Sequence, residues 1–390
     1  MTELQQLINE LCPNGVKFAA LEECCKILDN KRKPVTKAAR QAGEYPYYGA
    51  NGIQDYVSDY IFDGIFVLVG EDGSVVTPSG NPVVNWATGK IWVNNHAHII
   101  EEKDGVLLRY LYHYLQTVNV SALIHGNIPK LTGGDFRAIK VPVPPLPVQS
   151  EIVRILDNFT ELTAELTAEL TARKQQYAHY RDTLLKLDNN VPSYTLKDVC
   201  LSIADGDHMP PPKAESGVPF ITISNITETR QIDFSNVMYV PREYYDKLAD
   251  KRKAKRDDIL YTVVGSFGIP VHISNKTEFV FQRHIAILRP NQQMIVPRYM
   301  YHIMQSTEFY KQADKAAKGA AQRTIGLSSL GNMTIPLPSI EEQKRIVAIL
   351  DRFDTLCNDI SAGLPAEIEA RQKQYEYYRD KVLTFKELNT

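Results

Sequence analysis

Long apolar runs are missing from this 390-residue chain, and none approaches the ~20 residues that a membrane span requires. The opening MTELQQLINE has no basic stretch followed by an apolar one, so it does not read as a secretory signal. Cysteine is scarce. Cys12, Cys24, Cys25, Cys200 and Cys357 are odd in number and form no C-x-x-C pair, which reads as reduced thiols in a cytosolic, cytoplasmic protein. No His/Cys group has zinc spacing. The phosphate-cradling G-x-x-x-x-G-K-[ST] is absent, since Gly89-Lys90 is followed by Ile91 and lacks the upstream glycine. His96 and His98 form H-x-H, but on a strand they would point to one face, where packing or polar contact is the commoner role than a metal. An excess of one charge is lacking too: 44 basic against 46 acidic residues leave a net charge of −2. Any surface for a polyanion must therefore be a local concentration of positive charge.

What is present is an ordinary composition, 44% hydrophobic and 23% charged, in a chain long enough for two or more domains. Its organising stretch occurs twice. The first copy is VPVPPLP, QSEIVRILDNF, a run of TAEL units, then ARKQQYAHYRD, ending near Leu187. The second is IPLPS, EEQKRIVAILDRF, and later EARQKQYEYYRD, ending near Leu388. In copy one Ile152, Leu156, Phe159, Leu162, Leu166, Leu170, Tyr177, Tyr180 and Leu184 recur at helical spacing. In copy two Ile346, Leu350, Phe353, Leu356, Ile360, Leu364, Ile368, Tyr375, Tyr378 and Leu383 do the same. Each stripe needs a partner, and the simplest is the other copy. Gly363 to Pro365 predicts a kink or break in the second helix.

Between the helices the texture changes. Residues 1 to about 16 read as a short amphipathic helix. From Val16 to Lys140, short β-branched and aromatic runs alternate with Gly, Asn, Asp and Pro, as strands and turns do; Val106 to Val118 reads as a helix. Residues 191 to 334 repeat that plan. LKDVC echoes LEECC, QRHIAIL echoes NNHAHII, and RYMYHIM echoes RYLYHYL. DDILYTVVGSFG echoes FDGIFVLVGEDG, setting Gly70 against Gly265 and Gly73 against Gly268. KGAAQR lies where HGNIPK lies, setting Lys130 against Arg323.

The duplicated PPLPVQSEIVRILDNF/RKQQYAHYRD and IPLPSIEEQKRIVAILDRF/RQKQYEYYRD, with DGDHMPPP, GDFRAIKVPVPPLP and LSSLGNMTIPLP in support, resemble the DNA specificity subunit of type I restriction–modification systems over nearly the whole chain. The TAEL units resemble the subclass with such a repeat in the central region. The resemblance implies an α+β fold: two strand-rich target-recognition domains separated by two long antiparallel helices (a coiled coil), as a pseudo-two-fold tandem repeat. The expected limits are 1–147 for the first recognition domain, 148–190 for the central helix, 191–340 for the second domain and 341–390 for the C-terminal helix. Each domain would read one half of a split site in double-stranded DNA. The helices would set the gap and dock two methyltransferase subunits, with restriction/translocase subunits in the same complex. S-adenosylmethionine would be bound by the methyltransferase subunit, with no cofactor or metal on this chain and no catalysis by it. The absence of NPP[YF] or DPPY, which grips a flipped adenine, agrees. The competing readings are a coiled-coil protein-interaction scaffold without DNA binding, and a nuclease using Asp205, Asp207, Asp257 and Asp258.

For DNA contact, KRKAKR (Lys251, Arg252, Lys253, Lys255 and Arg256 around Ala254) stands out, with Lys31, Arg32, Lys33, Lys37 and Arg40 as an analogous cluster in the first domain. Such runs are usually solvated surface; here they are expected to meet phosphates, which position without reading sequence. Base reading needs paired donors and acceptors. The candidates are Tyr47, Tyr48, Asn51, Ser74 and Asn95 in the first domain, and His208, Ser224, Asn225, Ser266, Arg283 and Gln322 in the second. The bland reading of each is a turn or core-edge residue; Asn51-Gly52 suits a hairpin turn. Lys130 and Arg323 are expected to share a backbone contact.

Leu162, Leu166 and Leu170 repeat every four residues. Four residues lengthen a helix by ~6 Å and turn its face by about 40°, while one base pair rises ~3.4 Å and turns by roughly 34–36°. Inserting one TAEL is therefore expected to widen the gap between half-sites by about one base pair and leave the half-sites unchanged. A methylation-site map of the insertion variant checks this, and an unaltered gap would refute it.

Overall fold

The computed structural model describes residues 3–73, 75–187, 190–206, 210–320, 322–359 and 361–388. The fold is α+β and duplicated. Its two compact units do not follow sequence order: Met1–Ala164 joins Ala370–Thr390 in unit one, and Glu165–Glu369 forms unit two.

Unit one opens with the short helix Glu3–Leu11 and holds a six-stranded sheet, in the order Lys26–Ile27, Ala97–Glu101, Phe62–Gly70, Val84–Val93, Ala42–Gly49, Gly52–Val57. Neighbours are antiparallel except that Tyr47 and Tyr48 run parallel to Trp92 and Val93. The run FVLV explains why both faces are covered. Successive side chains alternate sides, so Val67 and Val69 enter one core and Phe66 and Leu68 another. Unit two repeats this with less strand. Ile259–Thr262 sends Ile259 and Tyr261 into one core and Leu260 into another. Phe220 and Ile221 run parallel to Val280 and Phe281, as Tyr47 and Tyr48 do to Trp92 and Val93.

Each globular part is closed by a short antiparallel ladder, Lys17–Ala20 with Lys140–Val143 and Ser193–Thr195 with Thr334–Pro336. The prolines beyond hold the chain extended until a helix starts. Leu146–Leu184 is a single helix of 39 residues. The second copy is broken as expected, into Ile340–Asn358 and Leu364–Val382. Gly363 makes that break: a Cβ there would lie 2.5 Å from the Thr355 carbonyl oxygen. Pro365 then falls in the first turn of the following helix, where a missing N–H costs nothing. Among the described residues no helix is long and apolar enough to cross a membrane.

Each unit contains the same kind of buried clasp. In unit one, Arg109 and His113 of helix Leu108–Leu115 both bind Oδ1 of Asp157 on the long helix, at 2.8 Å each, and His113 Nδ1 meets the Tyr375 hydroxyl at 3.2 Å. In unit two, Arg298 and His302 of helix Pro297–Met304 bind Asp351, and His302 Nδ1 meets the Tyr177 hydroxyl at 2.9 Å. The tyrosine in each case belongs to the other helical copy. Phe159 stacks on Tyr378, and Phe353 on Tyr180, in the same exchange. A carboxylate only accepts hydrogen bonds, so His Nε2–H donates to the aspartate. The neutral ring then accepts at Nδ1 from the tyrosine O–H.

Burial pushes His113 down to about 4, against the pull of Asp157, and burial lowers His302 as well. Burial also works against ionisation of Asp351, yet hydrogen bonds from His302 and Arg298 hold its carboxyl below the usual range. Between about 4 and its free value near 6.5, an unfolded His113 takes up a proton that the folded ring refuses. Stability therefore falls as pH drops through that window. Chemical denaturation at pH 6.5 and pH 5 is expected to differ by about 2 kcal/mol from His113 alone; equal midpoints would contradict a neutral clasp.

Candidate nucleic-acid interface

Four connections meet at one end of each unit's sheet. In unit one, Asn94 N–H donates to the Tyr48 carbonyl (3.1 Å), Glu71 N–H to His96 (2.8 Å), Gly73 N–H to Pro129 (3.0 Å) and Leu131 N–H to Glu71 (2.8 Å). In unit two, Gln282 N–H donates to Ile221 (3.0 Å), Val263 N–H to His284 (2.8 Å), Gly265 N–H to Arg323 (2.9 Å) and Ile325 N–H to Val263 (2.8 Å). These are the same bonds in two copies, so they fix equivalence residue by residue. Asn94, Asn95 and His96 correspond to Gln282, Arg283 and His284, as the sequence echo predicts. Elsewhere the echo is corrected. Gly73, not Gly70, is the counterpart of Gly265. Both adopt left-handed backbone, φ +85° and +70°, at the tip where the strand leaves the sheet. Lys130 corresponds to Thr324, not Arg323, because Leu131 and Ile325 make the matching bond.

Asn51, Asn95 and Lys130 are exposed at this end of unit one, as are Ser224, Ser266, Arg283 and Gln322 in unit two. Asn51 belongs to the two-residue turn between Gly49 and Gly52, so the return strand begins at Gly52 and not after it. Ser74 and His208 lie outside the described residues. Tyr47 and Tyr48 offer no edge to a ligand. Tyr47 is 1% exposed, its hydroxyl bonds the Val35 backbone and Arg40 covers its ring at 4.1 Å; Tyr48 is buried as well. Asn225 is a turn former: its Oδ1 accepts from Thr222 N–H and its amide donates to the Asn236 carbonyl.

The two basic clusters are not analogous. In unit one, Lys31 and Lys33 flank the four-loop end, with Lys33 N–H on the Val93 carbonyl and Trp92 Nε1 on the Lys33 carbonyl. Lys37 is exposed near the hairpin, and Arg40 pairs with Asp55. In unit two, KRKAKR precedes Ile259, which pairs with Leu288, whereas the 282–284 turn precedes Ile285, paired with Thr262. The run thus sits at the opposite end of the strand. Most of its charge is also answered internally. Arg252 pairs with Asp205, Lys255 with Asp250 and Arg256 with Asp257, and Lys253 donates to the Asp246 carbonyl; Lys251 is exposed. Arg323 binds Asp314 and covers Phe267 at 5.1 Å. The acids proposed for a nuclease are taken up in the same way: Asp258 by Arg289 and Asp257 by His272, with Asp207 outside the described residues.

Beneath this end of unit one lies a charge network that no sequence signal revealed, because its members come from four separate segments. Arg32 donates to Glu71 (2.6 Å) and to the Ala97 carbonyl (2.6 Å), and Lys130 Nζ lies 3.1 Å from Glu71. His98 is 1% exposed; its Nδ1 lies 2.7 Å from Asp29 and its Nε2 3.0 Å from the Leu131 carbonyl, with its ring stacked on Phe136. Burial opposes the charge on Asp29 and Glu71, but His98 and Arg32 hold both carboxyls below the usual range. Asp29, Glu71 and His98 could by distance hold a metal, yet Arg32 already supplies the positive charge between the two carboxylates. His96 does not join; it bonds Asp72. Arg32 is therefore a core cation and not a phosphate contact.

A family model described as the type I restriction modification DNA specificity domain matches residues 13–173 and 189–370. A Haemophilus influenzae protein named as a type I restriction enzyme specificity subunit is 38% identical, over 95% of this chain and 96% of its own length. The EcoR124I/EcoR124II specificity subunit of Escherichia coli is 36% identical over 73% of this chain and 72% of its own. Among solved structures, the S subunit of a type I restriction–modification system from M. genitalium aligns with a TM-score of 0.58 at 15% identity, covering 95% and 96% of the two chains, a likeness of fold.

Glu71→Gln removes one charge from the network and leaves Arg32 underpaired in a site where it is 12% exposed. A loss of about 3 kcal/mol is expected, read by denaturant unfolding, whereas Lys33→Ala on the surface is expected to leave stability unchanged.

Proposed function

Since the chain belongs to the type I restriction–modification DNA specificity family, and its role is therefore to recognise the DNA target while catalysis lies in partner subunits, we propose that the four-loop end of each unit reads one half of a bipartite site in double-stranded DNA. The observation that carries this is the duplication itself. The same backbone bonds hold the same four connections in both units, and exposed polar side chains differ at their tips: Asn51, Asn95 and Lys130 in one, Ser224, Ser266, Arg283 and Gln322 in the other. A rigid frame with variable polar tips is what direct readout of base edges asks for. Lys31, Lys33 and Lys37, exposed beside the first of these ends, serve as phosphate contacts. The helical copies dock two methyltransferase subunits, which carry S-adenosylmethionine and methylate adenine, and restriction/translocase subunits complete the complex. The relatives lend no support to a scaffold that does not bind DNA.

The test is a genome-wide methyladenine map from cells expressing this chain with its methyltransferase subunit. A split motif with a fixed gap is expected. Duplex binding by the same complex is expected to weaken steeply with salt, and Lys33→Ala to reduce the slope of log affinity against log salt by about 1. An assembled complex that leaves DNA unmethylated and binds it without salt dependence would overturn the proposal.

A further inference from the structure

We propose that Asn95 and Arg283, one repeat position in two units, are the residues that make the two half-sites differ: Asn95 selects an adenine in one, and Arg283 a guanine in the other. The inference deepens the reading just given and rests on it.

The position is built to present a side chain. On its N-terminal side the backbone is pinned by Asn94 N–H to Tyr48, and by Gln282 N–H to Ile221. On its C-terminal side, the carbonyls of His96 and His284 accept from Glu71 and Val263. In unit one the Asn94 side chain adds to the frame. It is 2% exposed, donates from Nδ2 to Gln54 Oε1 (3.3 Å) and accepts His96 N–H on Oδ1 (2.8 Å). The next residue, Asn95, is exposed, and so is Arg283. Neither has a hydrogen-bond or ion-pair partner among the described residues. For Arg283 this is informative, because other arginines of the unit do not behave so: Arg252 is matched by Asp205, Arg289 by Asp258 and Arg323 by Asp314. A guanidinium held on a fixed turn, at the end of the unit that faces the ligand and with no acid to answer it, has its donor fork available.

Chemistry then sets the base. A guanidinium fork fits O6 and N7 of guanine, both acceptors; a carboxamide, with one donor and one acceptor, fits N7 and N6 of adenine. The two units thus carry different choices on one backbone frame. A phosphate contact would make no such distinction, since phosphates carry no sequence.

The experiment uses the complex of the full chain with its methyltransferase subunit, and maps methyladenine for the wild type and for Arg283→Gln, Arg283→Lys and Asn95→Arg. Arg283→Gln is expected to lower the preference for G·C at one position of one half-site by about 5-fold to 150-fold, with the other half-site and the gap unchanged. Asn95→Arg is expected to alter one position of the opposite half-site. Equal thermal unfolding of the variants confirms that the exposed substitutions leave the fold intact. Two results overturn the inference: a motif unchanged by Arg283→Gln, or a uniform slowing restored by Arg283→Lys, which marks a phosphate contact. Ser266→Glu and Gln322→Glu separate that failure from a failure of the wider reading. If they abolish methylation while Arg283→Gln leaves the motif intact, the reading end stands and this position does not discriminate. If all leave motif and rate intact, the reading end falls with it.

Discussion

Each unit depends on a buried histidine that has to be neutral and fully bonded. His113 and His302 are both inaccessible to solvent. Leaving one ring nitrogen unbonded there would cost roughly 1–3 kcal/mol. The aspartate of one helical copy accepts from Nε2–H and the tyrosine of the other copy donates its O–H to Nδ1, so the ring is satisfied only when both copies are in place. The clasp thereby fixes which segments make a unit. Tyr375 and Leu383 belong to the core that also holds Leu156 and Tyr110, and Tyr177 and Leu185 to the core that holds Leu350 and Tyr299. A second shared device works beside it. Gln149 and Gln343 each accept the N–H just before a crossing helix, at Leu107 and Val296, and donate back to the carbonyls of Pro144 and Pro338. Side chains, and not only apolar area, therefore set the angle between crossing helix and long helix.

With the helical end fixed, the four-loop end is free to diverge. The matched backbone bonds make Val263 the counterpart of Glu71, and Ala286 that of His98. One unit fills that space with a charge network and the other with methyl groups, on the same strand register. Charges buried this way contribute little net stability compared with apolar packing, and losing one partner is expensive. The network thus constrains unit one more tightly than its counterpart constrains unit two.

The duplication and the helices were legible in the sequence because helical periodicity and a repeated Asp, Gln and Tyr survive without any tertiary information. The break was legible because Gly363 and Pro365 have conformational consequences of their own. Register was not. FVLVGEDG and YTVVGSFG align by eye on the wrong glycines, since an apolar run that is buried on both faces has no alternation to lock it. Only the backbone bonds from Glu71 and Val263 settle the three-residue offset. The basic run failed for a different reason. Its partners, Asp205, Asp250 and Asp257, include one far along the chain, and a charge run does not announce the acids that answer it. Tyr47 failed likewise: an aromatic in a Gly- and Pro-rich stretch looks like a surface reader until Val35 and Arg40 are seen around it.

The same pattern of burial marks where the long helix is expected to accept a change of length. Leu156 and Tyr177 are buried and hold the clasp and core of their units. Between them, from Glu161 to Leu170, no residue is buried, and Leu162 is 46% exposed. The threonines there bond backward along the helix, Thr160 to the Leu156 carbonyl and Thr163 to that of Phe159, contacts that any inserted helical turn can reproduce. Between Phe159 and Leu170, which pack against the cores of units one and two, the helix carries no fully buried side chain, and it is in this stretch that the expected change of length by whole TAEL units would fall.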